Sequence, residues 1–178
     1  MSILKFLKLQ PTQSSGSSAE TETVRKIANA LERLDENRAR FIAAFAYLLS
    51  RVARADLTVT PEETRAMEQI VMEQAGLPED QAVLVIQMAK TQNKLFGGTE
   101  NYLVTREFNN IASHDQKLLL LQCLFAVSAA DNNISTVEDN EVSLIADELR
   151  IEHKEFIAVR SKFREYLSVL KKTPETES

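Results

Sequence analysis

The chain has 178 residues, 44% of them hydrophobic, and a formal net charge of −5, enough for one domain with its own core and short for two. Four Gly, four Pro, no Trp and a body rich in Ala, Leu, Glu, Lys and Arg argue against a turn-rich sheet and predict an all-α domain. The acidic balance argues against nucleic acid as a partner, because phosphate neutralisation needs basic surface.

Residues 1–9, "MSILKFLKL", carry Ile3, Phe6 and Leu7 on one side of a two-turn helix and are interrupted by Lys5 and Lys8. They lack the continuous apolar stretch and cleavage site of a secretory signal. Lys5, Phe6 and Lys8 instead suit peripheral contact with a membrane surface, which would tether the domain. Residues 10–21 are rich in Ser and Thr and read as a flexible linker, so the folded body is expected over residues 22–172.

From there the apolar spacing is helical. Val24, Ile27, Leu31 and Leu34 mark a first amphipathic helix, and Phe41, Phe45, Leu48, Leu49 and Val52 a longer one that is apolar almost all round. Residues 118–130 repeat that all-round apolar character, are too short to span a membrane, and read as a second central helix. The only cysteine, Cys123, lies within them and reads as inert packing in a reducing, cytoplasmic setting. The residues 92–100 connector carries Gly97 and Gly98; a helix over residues 104–111 follows, and Ser113 with Gln116 has capping-box spacing ahead of the second central helix. Residues 173–178 read as a disordered tail.

Each central helix is followed by the same pattern: "ADLTVTPEE" from Ala55 and "ADNNISTVE" from Ala130. Amphipathic helices come next, marked by Met67, Ile70 and Val71 in one copy and by Val142, Ile145 and Ala146 in the other, and then a turn and a further helix. The chain is an internal duplication, expected to fold as a single compact bundle of about seven to eight helices built from two pseudo-repeats. In each motif the hydroxyl and the Glu, Thr60 with Glu63 and Ser135 with Glu138, form a capping box. Gly76 is placed as a left-handed cap.

Asp56 and Asp131 are explained less well, since each stands at the negative end of a helix dipole. Carboxylates held beside Glu63 and Glu138 would raise a pKa or recruit a hard cation, Ca²⁺ or Mg²⁺. Position six from Asp131 is Thr136 and position twelve is Val142, so the loop is no EF-hand. Residues 56–80 and 131–155 each carry a net −6 and the rest of the chain +7, a distribution that suits cations or basic protein partners.

The two Asp-x-x-[Val/Ile]-[Ser/Thr]-x-x-Glu copies, each after an Ala-rich buried helix ("SRVARAD", "AVSAAD") and separated by "YLVTREFNN", resemble the tellurite-resistance TerB-like family, a domain type also found in membrane-anchored DnaJ-like co-chaperones. The resemblance covers residues 38–170. It implies a cation site formed by Asp56, Glu63, Asp131 and Glu138, and a non-enzymatic stress-response role among other proteins, in the cytoplasm or at the inner face of the membrane. The chain departs from the family pattern in placing Leu57 and Asn132 where Gly usually follows the Asp. Two other readings compete: a purely structural scaffold without metal, and, behind both, a metal-dependent hydrolase. His114 and His153 lack zinc-ligand spacing, no phosphate-binding Gly loop occurs and no nucleophile–base pair is found, so catalysis is not expected.

Overall fold

The computed structural model describes residues 18–53, 60–91 and 101–171, and places eight α-helices among them. Helix α1 (Ser18–Glu32) begins four residues before the expected boundary. Its Ile27 and Leu31 are fully buried against the helices it lies on, and that packing carries the helix back into Ser/Thr-rich sequence of low intrinsic propensity. Helix α2 (Glu36–Val52) opens at Asp35, whose carboxylate accepts the Arg38 backbone N–H at 3.0 Å. It is buried nearly all round, as its sequence requires of a central element.

Helix α3 (Pro61–Ala75) ends at Gly76, which takes the left-handed conformation (φ 64°) and donates its N–H to Met72. Helix α4 (Glu79–Lys90) follows directly, and α5 (Asn101–Ile111) stacks Phe108 on Phe41 of α2 with ring centroids 5.3 Å apart. Helix α6 (His114–Ser128) is the second central helix and tightens into a 3₁₀ turn at Ala129–Asp131. Helices α7 (Thr136–Glu148) and α8 (His153–Ser161) complete the second copy, and two 3₁₀ turns, Arg164–Tyr166 and Ser168–Leu170, close the chain over it.

The duplication governs the packing. In each copy the last helix folds back on its own central helix, α4 on α2 and α8 on α6. The middle helices reach across: α3 packs on α6 of the other copy, and α7 lies against both central helices, its own α6 and α2. Neither copy therefore encloses a core alone, and one continuous apolar cluster runs from Ile27 to Leu167. No helix among the described residues is long and apolar enough to cross a membrane.

Candidate functional site

All three expected capping boxes form. The Thr60 Oγ1 accepts the Glu63 N–H at 3.2 Å while Glu63 Oε2 accepts the Thr60 N–H at 2.7 Å. Ser135 and Glu138 repeat the arrangement at 3.2 and 2.9 Å, and the Ser135 hydroxyl adds a 2.6 Å bond to the same carboxylate oxygen. Ser113 and Gln116 make the third at 3.2 and 2.8 Å. Both motif glutamates are thus turned back toward their own helix starts, which also suits the positive end of the dipole.

Asp131 is occupied locally: its Oδ1 accepts the Asn133 N–H at 3.0 Å. Asn132, at the position where the family pattern has Gly, adopts a left-handed conformation (φ 64°) that Asn tolerates better than most side chains. The following Ile134 is buried and pairs with the closing segment, its N–H donating to Tyr166 O at 2.7 Å and its carbonyl accepting from Ser168 N at 2.9 Å. Lys171 then donates to Asn132 O at 3.0 Å and Asn133 Oδ1 at 3.1 Å, so an ammonium already sits on oxygens of this loop.

Asp56 of the first loop, and Lys5, Phe6 and Lys8 of the amino-terminal segment, lie outside the described residues, as do the 92–100 connector and the 173–178 tail. Of the implied cation ligands, Glu63, Asp131 and Glu138 each hold a structural hydrogen bond, and no group of three or more His, Cys, Asp or Glu converges among the described residues. Glu63 and Glu138 face their own helix starts, so these three do not meet at one point among the described residues.

The other acids of the two copies differ in kind. In the second copy Asp139, only 8% exposed, receives Arg160 through both oxygens at 2.8 and 2.6 Å. Glu141 and Glu148 both receive Arg51 of α2, at 2.8 and 2.7 Å, and Thr105 adds a 2.8 Å bond to Glu148. Burial works to raise the Glu148 carboxyl, but the bonds from Arg51 and Thr105 outweigh it and hold the group below its ordinary range. His114 Nε2 and Glu155 join the starts of α6 and α8 at 2.8 Å, and Lys154 meets Glu152 at 2.9 Å. Apart from the local Lys154–Glu152 pair, these acids are spent on holding helices together.

In the first copy they are not. Glu62, Glu63, Glu73, Glu79 and Asp80 are exposed and Glu68 half-buried, and none of the six makes an ion pair with a described residue. They run along the outer side of α3 and onto the first turn of α4, with Arg65 among them and Lys90 reaching Thr64 Oγ1 at 3.0 Å from the end of α4. By sequence alone the two acidic stretches carry the same weight. The signal that separates them is Arg51, a charge inside an apolar helix, which burial obliges to find carboxylates.

The Cys123 thiol is fully buried, and burial pushes it up to about 12, which disfavours the thiolate in the folded chain.

Taken together, these features define a duplicated all-α bundle with two capped acidic loops, held by ion pairs across its halves. Residues 41–161 match the family model described as Tellurite resistance protein TerB, more than half of the chain, and the protein belongs to that family. No curated protein and no solved structure matches the chain. The match leaves out α1, Arg38 and the closing segment from Arg164 to Leu170.

Proposed function

We propose that this TerB domain is a non-catalytic interaction module of the stress response, and that the outer side of α3 with the first turn of α4 is its contact surface for a basic protein partner. The observation that carries the reading is the contrast between the copies: net charge is equal in sequence, yet Asp139, Glu141, Glu148, Glu152 and Glu155 of the second make ion pairs, whereas the six described acids of the first make none with a described residue. Exposed like charges repel one another and gain most when a cationic surface approaches.

The test uses a fluorescein-labelled octalysine peptide as probe and follows anisotropy at low salt. Replacing Glu62, Glu73, Glu79 and Asp80 by their amides should weaken binding at least about fivefold more than replacing Glu32, Asp115, Glu152 and Glu165, which changes net charge equally. Equal losses would mean that only overall charge matters and would sink the assignment of this face.

A second reading, cation binding by the repeated loops, is favoured by one observation: Asn132 O and Asn133 Oδ1 already receive a cationic group, Lys171. Ca²⁺ or Mg²⁺ there would act in competition with that ammonium, and Asp131 would supply the carboxylate. Lys171→Gln should then tighten Mn²⁺ binding followed by water relaxation, and Asp131→Asn should abolish it. Silence in the wild type and in Lys171→Gln ends this reading and leaves the scaffold interpretation of the loops. Membrane tethering through Lys5, Phe6 and Lys8 completes the proposal, and comparing pelleting with anionic vesicles for the chain with and without residues 1–10 decides it.

A further inference from the structure

A cleft of about 160 Å³ opens where the start of α2, the α3–α4 turn and the start of α6 meet. Its floor is apolar: Phe41, Phe45 and Leu77 are at most 6% exposed, and Phe41 is braced from behind by Phe108. Leu119 stands on the rim at 39% exposure. A space of this size is on the order of the ~150 Å³ that accommodates a benzene ring, so it holds one aliphatic side chain.

Two donors line the same cleft. The Arg38 guanidinium lies over the Phe41 ring, 5.1 Å from its centroid, and donates from Nε to Gln81 Oε1 at 2.7 Å and from Nη2 to the same oxygen. Gln81 is neutral, and the Asp35 carboxylate receives the Arg38 backbone N–H instead. Among the described residues the half-buried or buried arginines Arg40, Arg51 and Arg160 each meet a carboxylate, whereas Arg38 does not. Gln116 accepts the Ser113 N–H with its carbonyl oxygen, which leaves its amide N–H groups to donate. Across the cleft, Ala75 and Gly76 bring the carbonyl end of α3, whose last acceptors have no intrahelical donor.

An apolar slot, a guanidinium without a carboxylate, a free amide donor and helix-end carbonyls together match one chemical unit: an aliphatic side chain, a carboxylate and a peptide N–H on adjoining atoms. We propose that the cleft docks the carboxyl-terminal residue of a partner polypeptide that ends in an aliphatic side chain, with the terminal carboxylate on Arg38. Charge complementarity selects this occupant, since residues 1–17 of the chain contain two lysines and no carboxylate and do not match the cleft. No residue lining the cleft is one of the acids of the α3–α4 surface, and its test does not depend on that surface.

The probe is N-acetyl-alanyl-leucine, titrated into the full chain and followed by ¹H–¹⁵N correlation spectra, beside its carboxamide and beside isovalerate. Saturable shifts at Gly76, Leu77, Gln116 and Leu119 are expected with the free acid, with affinity roughly tenfold weaker for the carboxamide and for Arg38→Gln, where a charge-assisted bond is lost. Arg38→Gln also disturbs the contact with Phe41, so Leu119→Glu serves as a second variant: it adds a repelling carboxylate at an exposed rim position and should abolish the shifts with an unchanged melting temperature. No saturable shift up to roughly 10 mM probe, or equal binding of the carboxamide, would overturn the proposal. Isovalerate binding as tightly as the dipeptide would assign the cleft to a small carboxylate and overturn the peptide assignment.

Discussion

Arg51 of α2 places Nη1 2.7 Å from Glu148 Oε2 of α7, and this contact joins residues 97 positions apart that belong to different copies of the duplicated unit. The guanidinium is only 5% exposed, and its Nε reaches Glu141 as well. Because α7 packs on the central helices of both copies, this pair stands where the halves depend on each other.

Arg51→Ala should therefore destabilise the whole bundle cooperatively. Breaking a buried pair costs about 3–5 kcal/mol; both glutamates are a quarter or more exposed, so solvent screening brings the expected loss down to about 2–3 kcal/mol. The melting temperature should fall by about 4–12 °C. Glu148 adds a pH signature. Its folded value is depressed, so its contribution is fully present above its ordinary value of 4.5 and is lost as pH falls from there through the folded value. Acid melts between about pH 5 and 2 should show a steeper loss in wild type than in Glu148→Gln, and parallel curves would show that the pair contributes nothing.

Asp139 and Arg160 make the corresponding link inside the second copy, with a fork of two bonds at 2.8 and 2.6 Å. Asp139→Asn keeps the shape but removes the charge and one acceptor, leaving Arg160 partly unsatisfied. A loss of about 1.5–3 kcal/mol in urea unfolding is expected. Combining it with Arg160→Gln should cost less than the sum of the two single changes, and strict additivity would mean that the fork carries no coupling energy.

What the sequence made legible was the local chemistry. The eight helices, the boxes at Thr60, Ser135 and Ser113 and the left-handed Gly76 all rest on contacts three or four residues apart, which spacing encodes directly. The destinations of Asp139, Glu141 and Glu148 were not legible, because they are fixed by which helix faces which across 21 to 97 residues. The same holds for the closing segment: nothing in "REYLSVL" announces that Leu167 pairs with Ile134. The direction of Glu63 and Glu138 was legible for a local reason. A Glu that completes a capping box points at its own helix start and not at its neighbour.

Leu167 is 1% exposed and seals the second motif loop from above. Leu167→Ala should cost about 2–4 kcal/mol, as for other buried leucines, and lower the melting temperature by about 5–15 °C. The consequence is that residues beyond the family-matched range belong to the fold. A change smaller than about 1 kcal/mol would show that the closing segment is only laid on the surface.

The two helix ends that correspond in the duplication solve the same turn with different residues. Helix α3 is capped by Gly76 (φ 64°), and α7 is followed, one residue past its Leu149 cap, by Arg150 (φ 58°), where the Arg150 N–H meets Asp147 O and the Ile151 N–H meets Ala146 O, both at 3.0 Å. A side chain held in this conformation costs on the order of 1 kcal/mol, and glycine escapes that cost at some expense in unfolded-state entropy. No atom lies within 4 Å of a Cβ built on Gly76, so Gly76→Ala tests backbone strain alone and should destabilise by about 1 kcal/mol. Arg150→Gly should run the other way and stabilise by about 0.5–1 kcal/mol. Urea midpoints moving in opposite directions would establish that both turns are limited by the left-handed residue. If Arg150→Gly were destabilising, the arginine side chain itself would have to hold the α7–α8 turn, and the equivalence of the two helix ends would be lost.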